Sequence, residues 1–125
     1  MEDLQSAKKM QELTQPFLQK GFVFEYSYQK GGDSSCVYIY RYKKGKNYFD
    51  LREVSGSTDI TFVVYVDGGY VFPSLKTEYK KEYKAFRLKH LFKRATRDEA
   101  RAFITRLLNT KLAENPTQFY GIKLA

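Results

Sequence analysis

The chain is poor in the residues that usually carry chemistry. It has one cysteine, Cys36, and one histidine, His90, in 125 residues. A single cysteine excludes an internal disulfide and fits a reducing compartment. A thiolate nucleophile needs a base, and nothing in the neighbourhoods of Cys36 and His90 marks them as a pair. Metal centres draw on clustered Cys, His or acids, and no such spacing is present. Asp50 with Glu53 is the one pair of acids that would attract a divalent ion, and solvent-facing strand positions account for both more simply. No glycine-rich phosphate cradle precedes a helix. These absences predict a non-enzymatic protein without cofactor or metal.

Tryptophan is missing and prolines number three. Repeats, low-complexity tracts and linkers are missing too, so one domain over residues 1–125 is expected. The longest apolar run is Phe62–Val66, far short of the ~20 residues of a spanning helix, which predicts no integral membrane association. The start, MEDLQSAKKM, carries acids and no apolar stretch, unlike a signal peptide, so the expected location is cytoplasmic.

Acids are also scarce: 14 against 22 Lys and Arg, for a net charge of +8. The excess is uneven. Residues 1–62 hold nine basic and eight acidic side chains, whereas residues 63–125 hold thirteen and six. A partner drawn by charge, whether nucleic acid, an acidic protein or an anionic membrane surface, should therefore meet the C-terminal half.

What is abundant is tyrosine and phenylalanine, 11 and 10 residues. Helical spacing of Ala7, Met10, Leu13, Phe17 and Leu18 predicts a helix over about residues 3–20, kinked or split by Pro16, with Gly21 as its cap. The period then changes to two. Phe22, Phe24, Tyr26 and Tyr28 alternate with Val23, Glu25, Ser27 and Gln29, and Gly31–Asp33 predicts a turn. A second strand, about residues 35–43, carries Tyr38, Tyr40 and Tyr42 on one side. If Tyr28 sits opposite Cys36, these rings join the first strand's aromatic face; a one-residue slip sends them to the other side.

The basic turn Lys43–Asn47 leads to a third strand, 48–54. The nearly apolar strand 60–66 is expected at the centre of the sheet. Asp67-Gly68 predicts a hairpin to a strand at 70–72. Residues 74–93 are ambiguous: Leu75, Tyr79, Tyr83 and Phe86 fit a helix face, whereas Phe86, Leu88, His90 and Phe92 fit a strand; the reading is a short helix or charged loop to about Lys81 and a strand from about Tyr83 to Leu91. Thr96–Glu99 spells a capping box, and Ala100, Phe103, Ile104, Leu107, Leu108 and Leu112 follow as a helical stripe ended by Pro116. Phe119–Leu124 adds a tail strand or packs down.

The expected class is α+β: a mostly antiparallel sheet of five or six strands with an N-terminal and a C-terminal helix packed on one face. Lys20–Phe24 begins like an RNA-recognition strand, but Val23 and Ser27 break that pattern, and capping already accounts for Gly21. The expected function is nucleic-acid binding. Lys43, Lys44 and Lys46 of the basic turn and Lys80, Lys81, Lys84, Arg87, Lys89, Lys93, Arg94, Arg97 and Arg101 would contact phosphate, and Tyr38, Tyr40 and Tyr42 would stack on bases. The alternative is a protein–protein module or homodimer using an edge strand or the tyrosine-rich face, because Tyr and Arg are also enriched at protein interfaces.

Overall fold

The computed structural model describes residues 2–30, 36–54 and 58–124. Two helices open the chain, α1 (Glu2–Leu13) and α2 (Gln15–Gln19). Pro16 lies in the first turn of α2, where its missing N–H costs nothing, so it splits the predicted helix instead of kinking it. Thr14 fills the break. It is fully buried, its hydroxyl donates to the Met10 carbonyl, and it shares a 2.9 Å hydrogen bond with the Tyr42 hydroxyl. Gly21 takes φ +94°, as the cap position requires.

Five antiparallel strands follow in sequence order: β1 (Val23–Lys30), β2 (Cys36–Lys44), β3 (Asn47–Val54), β4 (Ile60–Val66) and β5 (Gly69–Val71). The predicted Gly31–Asp33 turn lies outside the described residues. Asp67 and Gly68 both have positive φ, 53° and 81°, in the hairpin between β4 and β5. β4 was expected at the centre, but β3 holds that place, because only the three-residue β5 lies beyond β4.

The β1–β2 register pairs Phe24 with Tyr42, Tyr26 with Tyr40 and Tyr28 with Tyr38. It is offset by two residues from Tyr28 opposite Cys36, so the parity is kept and the rings share one face. Ring centroids lie 5.2 Å apart for Phe24–Tyr42 and 5.4 Å for Tyr26–Tyr40. Phe49, Leu51, Phe62 and Val64 continue this face through β3 and β4. They form one buried cluster with Met10, Phe17, Ile104, Leu108 and Leu112. Phe17 sits between Phe49 and Phe119, with centroids 5.0 and 4.9 Å away.

A short helix, α3 (Leu75–Glu78), lies where one was expected, but the strand expected from about Tyr83 to Leu91 is instead helix α4 (Lys80–Lys89). The helical stripe Leu75, Tyr79, Tyr83, Phe86 prevails because it has a surface to pack on: Tyr83 and Phe86 meet Phe103 at 4.9 and 4.2 Å. Phe103 belongs to α5 (Arg97–Glu114), whose Thr96–Glu99 capping box is complete in both directions. A small hairpin, β6 (Gln118–Phe119) and β7 (Ile122–Lys123), closes the chain.

Polar contacts fix how the helices run. Lys9 of α1 pairs with Asp98 at the head of α5, and the Leu13 carbonyl accepts from Asn109 further along, so α1 and α5 run in the same direction. Tyr79 donates to Glu114 at the foot of α5, while His90 lies 3.7 Å from Glu99 at its head. α4 therefore runs antiparallel to α5. It has no fully buried residue.

Candidate nucleic-acid interface

Three surfaces hold the residues with binding potential: the second sheet face, the head of α5, and α4 with the turn after it.

The second sheet face carries Arg41, Asp50, Arg52, Tyr48, Tyr65 and Tyr70. Asp50 has no exposed surface. Arg41 grips both its oxygens, at 2.8 and 3.0 Å, and Arg52 donates to one of them at 2.8 Å. The Arg41 guanidinium lies 3.9 Å over the Tyr48 ring, Tyr48 stacks on Tyr65 at 5.0 Å and 17°, and Tyr65 meets Tyr70 edge-on. Burial and the 3.0 Å bond to Tyr70 push the Tyr48 hydroxyl up to about 12. Tyr48 is taken up by Arg41 and Tyr65, whereas Tyr70, met edge-on by Tyr65, remains largely exposed. Asp50 and Glu53 lie on opposite faces of β3, so they do not share a metal ion, and no metal-ligating cluster occurs among the described residues.

At the head of α5, Arg101 is buried and forks onto Glu53, with Nε–Oε2 at 2.6 Å and Nη2–Oε1 at 2.8 Å. The Tyr40 hydroxyl bonds Glu53 at 3.0 Å and Ser6 at 2.9 Å, and Asp98 accepts from Arg101 at 3.0 Å. Lys9 first, then Arg101, hold the Asp98 carboxyl below its ordinary range, while the Glu53 hydrogen bond raises Arg101. Above this network lies a hollow of about 460 Å³ lined by Gln5, Ser6, Lys9, Tyr38, Arg97, Asp98 and Arg101.

α4 and its turn are different in kind. Lys80, Lys81, Lys84, Arg87, Lys89, Lys93 and Arg94 are all exposed, and none forms an ion pair with a described carboxylate. Glu82 is the acid within α4 and forms no ion pair with these cations, while Glu78 just before it accepts from Tyr120 and pairs with Lys111. Among these cations stand Leu88, Leu91 and Phe92, the last 98% exposed. Beside them a groove of about 620 Å³ runs between α4 and α5, with Phe86 and Phe103 in its wall and Lys81, Lys89 and Arg106 at its edges.

Several expected contacts are thus relocated. Tyr40 and Tyr42 have no exposed surface, and burial raises both hydroxyls. Rings enclosed by the core do not stack on bases; their side of the sheet is the side the buried cluster occupies. Tyr38 is half-buried at the hollow. Arg101 is consumed by Glu53, and Arg97 donates to the Val54 carbonyl. Lys44 donates to the Lys20 carbonyl at 2.7 Å, Lys43 lies 3.6 Å from Glu25, and Lys46 is exposed. The Lys43–Lys46 turn and Val54, beside Arg97, mark opposite ends of β3, roughly 25 Å apart at strand rise. Cys36's side chain lies outside the described residues, and His90 packs on Phe86.

Phe92, Leu88, Leu91 and Arg106 were not among the binding residues expected from sequence; Leu88 and Phe92 were read only as strand positions. The signal was present: Leu88 falls off the Tyr79–Tyr83–Phe86 stripe once the segment is wound as a helix. No helix among the described residues is long and apolar enough to cross a membrane. No family model, curated protein or solved structure matches the chain.

Proposed function

We propose that the protein is a single-domain, non-enzymatic module that binds single-stranded nucleic acid along α4 and the turn into α5. The observation that carries the reading is the concentration of exposed, unpaired cations around a fully exposed ring. Lys81, Lys84, Arg87, Lys89, Lys93 and Arg94 would neutralise backbone phosphates, releasing counterions. Phe92 supplies a π-face with no ring packed on it, and base–aromatic stacking needs an unpaired base, which favours a single strand over a duplex. Nothing on this surface reads base edges, so little sequence preference is expected. The reading takes the terminal helices as packed together on the aromatic face, as the shared cluster of Met10, Phe17, Ile104 and Leu108 supports. That arrangement leaves α4 outermost.

Fluorescence anisotropy with labelled single-stranded and duplex oligonucleotides, at low salt and micromolar protein, tests it. Saturable binding that favours the single strand is expected. Flat titrations, with co-sedimentation on phosphatidylserine vesicles instead, would refute it and place Leu91 and Phe92 in a bilayer interface.

One observation favours a second reading, self-association. The edge strand β5 is exposed throughout, and Tyr70, Val71 and the adjoining Phe72 add apolar surface to its open hydrogen-bonding groups. Sedimentation velocity across a concentration series distinguishes dimer from monomer, and Val71→Lys should abolish any dimer that uses this edge.

A further inference from the structure

The groove between α4 and α5 differs in character from the outer side of α4, because its floor is apolar. Its walls follow from helical spacing. On α4, Lys81, Ala85 and Lys89 form one row four residues apart, and Glu82, Phe86 and His90 form the next. On α5, Ala102 and Phe103 lie between Glu99 and Arg106 on one side, at intervals of three and four. Phe86 and Phe103 stack at 4.2 Å and 15°, which joins the two helices at the floor. Ala85 and Ala102 are exposed and carry nothing beyond Cβ, so they do not fill the space above it. The result is a groove of about 620 Å³, within the size range of small-molecule sites. From Lys81 to Lys89 it runs about 12 Å at helical rise.

The two ends of the groove differ. The helices are antiparallel, so Lys81 and Arg106 fall toward one end and Lys89, His90 and Glu99 toward the other. Glu99 accepts from the Thr96 N–H at 2.9 Å through one oxygen and has the other 3.7 Å from His90. With Lys89 it leaves that end without net charge. At the first end the Arg106 guanidinium lies 5.6 Å over the Phe103 ring. Neither Arg106 nor Lys81 forms an ion pair with a described carboxylate. Glu82 is the acid beside them, so two cations meet one anion there. An apolar floor with cations at one end is the complement of a hydrocarbon tail ending in a carboxylate. A bare anion would leave Phe86 and Phe103 uncovered, and a neutral hydrocarbon would leave both cations unused.

We infer that this groove binds a free medium-chain fatty acid, with its tail over Phe86 and Phe103 and its carboxylate between Lys81 and Arg106, whether or not nucleic acid occupies the outer side of α4. A fully buried methylene is worth about fourfold in affinity, whereas an exposed ion pair is worth about fivefold at most. The tail therefore supplies most of the binding, and the head sets its direction.

The test is titration of isotope-labelled protein with decanoate, octanoate and decyltrimethylammonium, each below its micelle-forming concentration, followed by backbone amide shifts. Saturable shifts at residues 85, 86, 102 and 103, with a dissociation constant for decanoate below about 1 mM, are expected. Octanoate, two methylenes shorter, should bind about five- to fifteenfold more weakly. Decyltrimethylammonium has the same tail and the opposite charge, and should not saturate. Lys81→Gln and Arg106→Gln should each weaken decanoate binding about two- to fivefold. Ala102→Leu and Ala85→Leu fill the groove from opposite walls at exposed positions, and each should weaken it at least about tenfold without lowering the melting midpoint. Phe92→Ala should leave it unchanged while weakening single-strand binding, so the two sites fail separately. The assignment is overturned by absent saturation, by shifts centred on residues 88, 91 and 92, or by decyltrimethylammonium binding as tightly as decanoate. It is equally overturned if both leucine variants bind like the unsubstituted protein, or if phosphatidylserine vesicles shift these amides and decanoate does not.

Discussion

Arg101→Ala should be the most damaging single change on the polar side of the core. It deletes the fork at 2.6 and 2.8 Å and leaves Glu53, which has no exposed surface, as a buried carboxylate supported only by Tyr40. Removing one partner of a buried pair costs about 3–5 kcal/mol, a large share of the roughly 5–15 kcal/mol that keeps a domain folded. For a chain between the size classes where 1 kcal/mol shifts the melting midpoint by about 2–4 °C and about 4–8 °C, the drop is on the order of 12–20 °C. Replacing both partners with apolar residues, Glu53→Met with Arg101→Met, removes the charge and its orphan together and should recover most of that loss. Urea unfolding followed by far-ultraviolet circular dichroism measures all three proteins, since no tryptophan is available as a probe. A loss under about 1 kcal/mol for R101A, or a double variant no more stable than R101A, would refute the argument.

Phe92→Ala should leave the melting midpoint unchanged, because the ring is 98% exposed, and should weaken single-strand binding by about 1–3 kcal/mol, measured by anisotropy. Gly21→Ala places a Cβ at φ +94° and 3.0 Å from the Lys44 ammonium; the side chain can move but the backbone strain stays, so a loss of about 1–2 kcal/mol is expected on urea unfolding. Asp98 has its carboxyl lowered by Lys9, so its contribution is present above the ordinary value of 3.8 and disappears as pH falls through the depressed folded value. Asp98→Asn should therefore be less stable than the unsubstituted protein at neutral pH and should match it at the acid end of a melting series; a constant gap would contradict the linkage.

Much of the fold was legible because its signals are local. Thr96–Glu99 specifies a helix start through two hydrogen bonds three residues apart, and Asp67-Gly68 specifies a hairpin through positive φ. The shared aromatic face of β1 and β2 follows from period two, whereas the two-residue offset depends on a turn the sequence does not constrain. α4 was misread because Phe86, Leu88, His90 and Phe92 alternate. That alternation is not a burial pattern, since Leu88 and Phe92 face solvent. The loss of Arg101 from the basic surface was illegible for a different reason: its partner Glu53 lies 48 residues away. Tyr40 and Tyr42 carry polar handles that Glu53, Ser6 and Thr14 satisfy inside the core, and such pairing is invisible until the helices are placed.

The salt dependence of single-strand binding bears most directly on α4 as the interface. Four to six neutralised phosphates give a slope of log K against log salt of about −3 to −4, at roughly −0.7 per contact. The triple reversal Lys84→Glu, Arg87→Glu, Lys93→Glu should make the slope shallower by about 2 and cost most of the affinity, while Lys46→Glu in the β2–β3 turn should change neither. A slope near zero, or equal losses from the two variants, would contradict the account.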